Sequence, residues 1–139
     1  MNKNLAITCI FGLIAIILGA FTAHGLQDVL TSKEMSSLET GIRYQIYHVI
    51  VLLFVNTYAP FSNKLKNYVS YVFFFGIVLF SGSIYAIHIF NYSAKSIWFV
   101  TPLGGVFFII GWLLMIHFFL FKVINKKKVN KIITDSILF

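Results

Sequence analysis

Residues 96–121 read SIWFVTPLGGVFFIIGWLLMIHFFLF, 26 positions without an Asp, Glu, Lys or Arg. Crossing the hydrocarbon of a bilayer takes about 20 mostly apolar helical residues. A backbone in that medium must satisfy its own hydrogen bonds, so a stretch of this length reads as a spanning helix. Three further charge-free stretches, 4–27, 44–63 and 67–94, are 24, 20 and 28 residues long. A membrane β-barrel would alternate apolar and polar positions over short segments of about ten residues. Runs such as Phe73-Phe74-Phe75 do not alternate. The expected fold is an all-α membrane protein, one bundle of four antiparallel transmembrane helices. The spans are placed at about 5–25, 41–59, 67–90 and 100–121 within a domain 1–121, followed by a basic tail 122–139.

Composition agrees with this reading. The chain of 139 residues is 59% hydrophobic and 11% charged, and its mean hydropathy is +0.88. A soluble domain is about 45–50% apolar and about 25% charged, so soluble, disordered and fibrous classes are excluded. The net charge is +7. No basic face with interleaved aromatics lies outside the apolar runs, so nucleic acid is not an expected partner. Cys9 is the one cysteine, so no internal disulfide or cysteine metal site can form. Gly19-Ala20-Phe21-Thr22-Ala23 offers no clean small-x-small cleavage pair and His24 follows, so the first stretch reads as a retained span rather than a removed signal.

Lysine and arginine placement orients the bundle. With four spans, the N-terminus, the 60–67 loop and the tail share one side, which carries eight of the eleven basic residues; Lys33, Arg43 and Lys95 lie on the other. The asymmetry predicts a multi-pass protein of the cell inner membrane with both termini cytoplasmic.

Helix two is expected to begin before its apolar part, at about Ser32. Thr31-x-x-Glu34 and Ser36-x-x-Glu39 are both capping-box patterns. Pro60 marks its end. In the tail, Val129, Ile132, Ile133 and Ile137 share one face if helical, which suits either an amphipathic segment on an anionic membrane surface or a frayed stop-transfer end.

Once the spans are placed, most polar side chains fall at the outer level, and the inner halves read as Phe, Ile, Leu and Val. Gly41, Tyr44, Gln45 and His48 share a face of helix two; Ser81, Tyr85 and His88 share one on helix three. Polar residues inside a membrane face the bundle interior. The candidate binding cluster is therefore His24, Arg43, Gln45, His48, Ser81 and Tyr85, with Gln45 reaching towards His24 and Arg43 snorkelling to the surface. His48 and His88, on two helices, are a conceivable haem pair, and His48 is otherwise a neutral histidine bonding two helices together. Small residues are expected to let helices approach closely: Ala15, Gly19 and Ala23 on helix one, and Gly104 and Gly105 after Pro102 on helix four. No acidic residue lies in any apolar stretch, so no nucleophile triad or metal set is visible, and no catalytic residue, metal or cofactor is assigned.

Gly19-Ala20-Phe21-Thr22-Ala23-His24-Gly25, Thr40 to His48, Leu79 to Tyr85, and Thr101-Pro102-Leu103-Gly104-Gly105 with Gly111-Trp112 occur in this order. Together they resemble the small family of four-span membrane proteins that includes bacterial YgdD and YwdK and human transmembrane protein 256. The likeness covers about residues 5–115. Thr22 stands where the resemblance implies glycine, and Val49-Ile50 where it implies Ala-Leu. His88, His117 and the basic tail are outside the pattern. The resemblance implies a multi-pass membrane location and no established activity. The expected role is a non-enzymatic structural or accessory component. The alternative is a small-ligand, haem, quinone or proton-handling protein built on His48. Expected partners are membrane lipids, with further copies of the chain or a larger membrane complex.

Overall fold

The computed structural model describes residues 2–137, with side chains described at residues 3–122 and 124. Among these residues four helices follow one another: α1 (Asn2–Gly25), α2 (Ser32–Thr57), α3 (Asn63–His88) and α4 (Val100–Ile137). All four are long and apolar enough to cross a membrane. Their contacts are antiparallel between chain neighbours. Gly12 meets Val49 and Gly19 meets Ile42 across α1 and α2. Asn56 meets Ser70 across α2 and α3, and Gly111 meets Phe73 across α3 and α4. α1 also touches α3 in parallel register, where Phe11 stacks on Phe74 at 5.6 Å.

The helix limits have local causes. Thr31 caps α2: its hydroxyl accepts from the Glu34 amide while the Glu34 carboxylate accepts from the Thr31 amide. This is the first of the two capping boxes in the sequence. At 1.5 Å per residue α2 is about 39 Å long, so its first turns stand outside the hydrocarbon. Tyr58 closes α2, and Ser62 caps α3 by accepting from the Leu65 amide at 3.2 Å. α3 therefore begins at Asn63, and Lys66 lies inside the helix rather than in the loop the sequence suggested. Asn91, with φ 55°, turns the chain out after α3; asparagine tolerates this left-handed conformation well. Pro102 sits in the first turn of α4, where a missing amide proton leaves no helical bond unmade. The α4 backbone stays helical past Lys122 to Ile137. The tail face of Val129, Ile132, Ile133 and Ile137 lies outside the residues with described side chains.

α2 and α3 form the middle of the bundle and α1 and α4 flank them. The main core joins Leu52 and Val55 of α2, Phe73 and Ile77 of α3, and Phe108 and Met115 of α4. A second cluster joins Leu38 and Ile42 to Ile84 and Tyr85. Outward, α1 presents Ile10, Leu13, Ile16 and Ile17, and α4 presents Ile109, Leu113, Ile116 and Leu120. Such faces are unstable in water and natural against lipid. The bundle has a loop end, with the α1–α2 and α3–α4 connections, and a terminal end, with the N-terminus and the α2–α3 turn.

Glycines set the α3–α4 spacing. A Cβ on Gly104 would strike the Phe80 backbone, with Cα at 2.7 Å; one on Gly111 would sit 2.5 Å from the Phe73 ring; one on Gly76 would meet Phe108 at 2.5 Å. The closest helix approach is thus at α3 and α4. On α1, Ala15 is fully buried, but Ala23 is exposed. An open groove between α1 and α2, lined by Gly19, Thr22, Ala23 and Arg43, separates the helices there. Ala23 therefore does not act as a contact in the small-residue stripe expected of it.

Candidate functional site

The polar residues singled out by the sequence divide into three groups. The first is a hydrogen-bonded layer near the loop end. Tyr85 donates its hydroxyl to Gln45 Oε1 at 2.9 Å, and Gln45 Nε2 donates to the Phe11 carbonyl at 2.7 Å. One glutamine thus ties α1, α2 and α3. Ser81 donates to the Gly41 carbonyl at 2.7 Å, and the Ser83 and Thr101 hydroxyls meet at 2.5 Å between α3 and α4. Each bond joins groups that lipid could not satisfy.

The second group lies away from this layer. His24 is exposed at the end of α1. The expected bridge from Gln45 to His24 is not formed, and helix register gives the reason. Gly19 meets Ile42 and Gly12 meets Val49, which puts His24 level with about residue 37, roughly 12 Å above Gln45 at 1.5 Å per residue. Arg43 is exposed beside Glu39 at the α1–α2 groove. His88 Nε2 lies 3.0 Å from the Ser37 hydroxyl at the top of the bundle. Since Gly41 faces Tyr85, His88 stands about ten residues, or roughly 15 Å, above the level of His48. The two histidines are not at one depth, so the conceivable haem pair is not assembled.

The third is His48 alone. It is 5% exposed. Its Nδ1 lies 2.7 Å from the Tyr44 carbonyl of its own helix. Its ring stacks on Phe108 at 3.6 Å and 7°, with Phe73 and Trp112 nearby. Nε2 is buried without a hydrogen-bond partner. The expected bond from His48 to a polar group of another helix is absent among the described residues; its interhelical contacts are with aromatic rings. His48 turns towards α3 and α4, while Gln45, nearly one turn earlier, engages α1 and α3.

A further polar layer at the terminal end was not anticipated. Asn56 Nδ2 donates to Ser70 Oγ at 2.8 Å, both residues being fully buried. Lys66, 5% exposed, donates from Nζ to the Asn56 carbonyl at 3.1 Å. That carbonyl is in the last turn of α2, where peptide oxygens lack helical partners and the dipole favours a cation. Asn4 donates to Asn67 Oδ1 at 2.8 Å, linking α1 to α3. Asn56 and Ser70 were the available signals, as polar residues inside otherwise apolar runs. Lys66 offered none, because its burial depends on where α3 starts. Among the described residues, no three His, Cys, Asp or Glu side chains gather as a metal site.

Residues 18–105 match the family described as "Protein of unknown function (DUF423)". The chain is similar to a UPF0382 membrane protein of Haemophilus influenzae, 41% identical over 112 residues, covering 81% of this chain and 89% of that one. It is 38% identical to the UPF0382 membrane protein YwdK of Bacillus subtilis over 84% of this chain and 94% of that one. It is 40% identical to the UPF0382 inner membrane protein YgdD of Escherichia coli over 81% and 85% of the two chains. No solved structure matches. The resemblance to YgdD and YwdK read from the four motifs agrees with these matches.

Proposed function

The chain belongs to the DUF423 family, whose relatives are membrane proteins, and from that premise we propose that it is a non-enzymatic accessory component of the membrane that works through helix contacts. The supporting observation is how its buried polar groups are used. Gln45, Tyr85, Ser81, Asn56, Ser70 and Lys66 bond to other helices of the same chain. They make a rigid two-layered scaffold. Among the faces left for partners are the exposed apolar sides of α1 and α4, which would meet lipid, a second copy or a larger membrane complex. Both termini would be cytoplasmic in the inner membrane, a reading that rests on the lysine asymmetry.

Photo-crosslinkers on the two outer faces test the contact role. Leu13 on α1 and Leu113 on α4 are suitable positions, each exposed. The expected product is a discrete protein adduct from one face in intact cells. Adducts to lipid alone from both faces would refute a contact role. A periplasm-active reporter after Phe139 should be silent, and one within 91–96 active; the reverse pattern inverts the orientation.

A further inference from the structure

The scaffold accounts for the loop-end layer but not for His48. This side chain bonds no other helix, yet it is buried in the middle of the bundle. A carbonyl oxygen can only accept a hydrogen bond, so the 2.7 Å contact with Tyr44 fixes the proton on Nδ1. No carboxylate lies among the groove residues to balance an imidazolium, and an unpaired buried charge is costly. The ring is therefore neutral, and Nε2 presents a lone pair. That lone pair is buried and unpartnered. A buried acceptor without a donor carries a penalty that a suitable ligand removes.

His48 lines an open groove of about 450 Å³ between α2 and α4, within the size range of small-molecule sites. Tyr44 and Phe80, stacked at 4.7 Å, form one wall, and Phe108 and Trp112 form another. Tyr44 and Trp112 are 40% and 44% exposed and lie inside helices long and apolar enough to cross a membrane, so the groove opens sideways, towards lipid where these helices span a bilayer. Gly105 gives a second, independent sign. A Cβ there would meet only Phe80 Cδ2, at 4.0 Å, whereas its neighbour Gly104 is pressed against the Phe80 backbone. Helix packing requires Gly104 and does not require Gly105. What the missing side chain at 105 leaves free is groove volume.

We propose that this groove binds a lipid-soluble molecule with a ring hydroxyl, of the hydroquinone class, which donates its O–H to His48 Nε2. Flat aromatic walls favour a planar ring through offset stacking, and the sideways opening lets an apolar tail run into the bilayer. An acceptor at Nε2 selects a hydroxyl over a bare carbonyl or an ether, because only the hydroxyl brings a donor. Nε2 is buried among rings, with Phe108 at 3.6 Å, Phe73 at 5.2 Å and Trp112 at 6.5 Å from the imidazole between ring centres, so a ligand hydroxyl reaches it by displacing one of these rings, and Trp112, half-exposed in the groove lining, reports that event. This inference goes beyond the scaffold role and does not rest on it.

The test uses the full chain in lipid nanodiscs with Trp98→Phe, which leaves Trp112 as the single tryptophan reporter. Two probes are titrated: 2-decylhydroquinone and its dimethyl ether, alike in ring and tail but differing in the donor. The hydroquinone should bind roughly tenfold tighter, the scale of one hydrogen bond to a buried acceptor. His48→Phe keeps a ring against Phe108 and should make the two probes equal. Gly105→Leu should weaken both. Should His48→Phe fail to fold, the Nε2 resonance of nitrogen-15 histidine-labelled protein serves instead: it should move with the hydroquinone and stay with the ether. Equal affinity for the two probes, a difference that survives His48→Phe, or a haem absorption band that co-purifies and depends on His48 would each overturn the proposal.

Discussion

The bundle carries two polar layers built on opposite principles. Near the loop end, neutral groups bond in pairs: Tyr85 to Gln45, Ser81 to Gly41, Ser83 to Thr101. At the terminal end, a buried cation closes the last turn of a neighbouring helix, with Asn56 and Ser70 beside it. The first layer uses side chains whose polarity is mild enough to survive alone in a helix. The second uses Lys66, whose burial makes sense only with α2 already in place. Neutral pairs add modest increments one by one, whereas the terminal-end layer gathers Lys66, Asn56 and Ser70 around the last turn of α2, so that one substitution there disturbs several bonds together.

The sharpest way to break the comparison is to remove the α3–α4 spacing on which the Ser83–Thr101 contact of the loop-end layer depends. Gly104→Ala drives a methyl into the Phe80 backbone and should cost roughly 3 kcal/mol, the upper end for overpacking. Thermal unfolding in detergent should fall, and hydrogen exchange should rise first around Ser83 and Thr101. An unchanged melting temperature would mean that α3 and α4 are not in close contact. Lys66→Met comes next. It keeps the bulk and removes a charged donor, at about 2 kcal/mol. Exchange should rise in residues 52–70 and stay unchanged in 78–86; a uniform rise would show that the layers are one unit. Gln45→Leu should cost about 1 kcal/mol and Tyr85→Phe about half of that, because the glutamine bonds two helices and the tyrosine one. Equal losses would show that the Phe11 carbonyl bond contributes nothing. Smallest of all, His24→Ala should lie within about 0.5 kcal/mol of the parent, since the side chain is exposed. A larger loss would restore His24 to the loop-end layer.

Four helices, their order and their antiparallel packing are legible in the sequence because charge-free runs of known length leave one solution in a bilayer. The start of α2 is legible too, since Thr31 and Glu34 form a reciprocal cap whose chemistry is local. Periodicity correctly puts Gln45 and His48 on neighbouring positions of one helix. It does not say that the first turns to α1 and α3 and the second to α3 and α4, because spacing reports a face and not its neighbour. His24 and His88 escape sequence reasoning for a related reason: depth in a bundle depends on helix register, which the loops alone do not fix. Lys66 reads as a surface charge because Ser62, the residue that starts α3, reads as loop. The glycine seam at Gly76 and Gly111 is invisible without knowing that Phe108 and Phe73 lie opposite.

The terminal-end layer also has a consequence for biosynthesis. Of the four spans, α2 is the least apolar, and it leaves the ribosome with its Asn56 amide and its last-turn carbonyls lacking their partners on α3. A lone helix of this kind partitions poorly into hydrocarbon. The chain between α2 and α3 is only residues 58–62, so α3 follows within a few residues of synthesis, bringing Ser70 and Lys66. The expected consequence is a two-helix insertion, in which α2 would wait at the translocation machinery for α3 and the pair would enter lipid together. Lengthening the short turn would delay that meeting and expose α2 to quality-control proteases, even where the finished bundle could accommodate the extra residues.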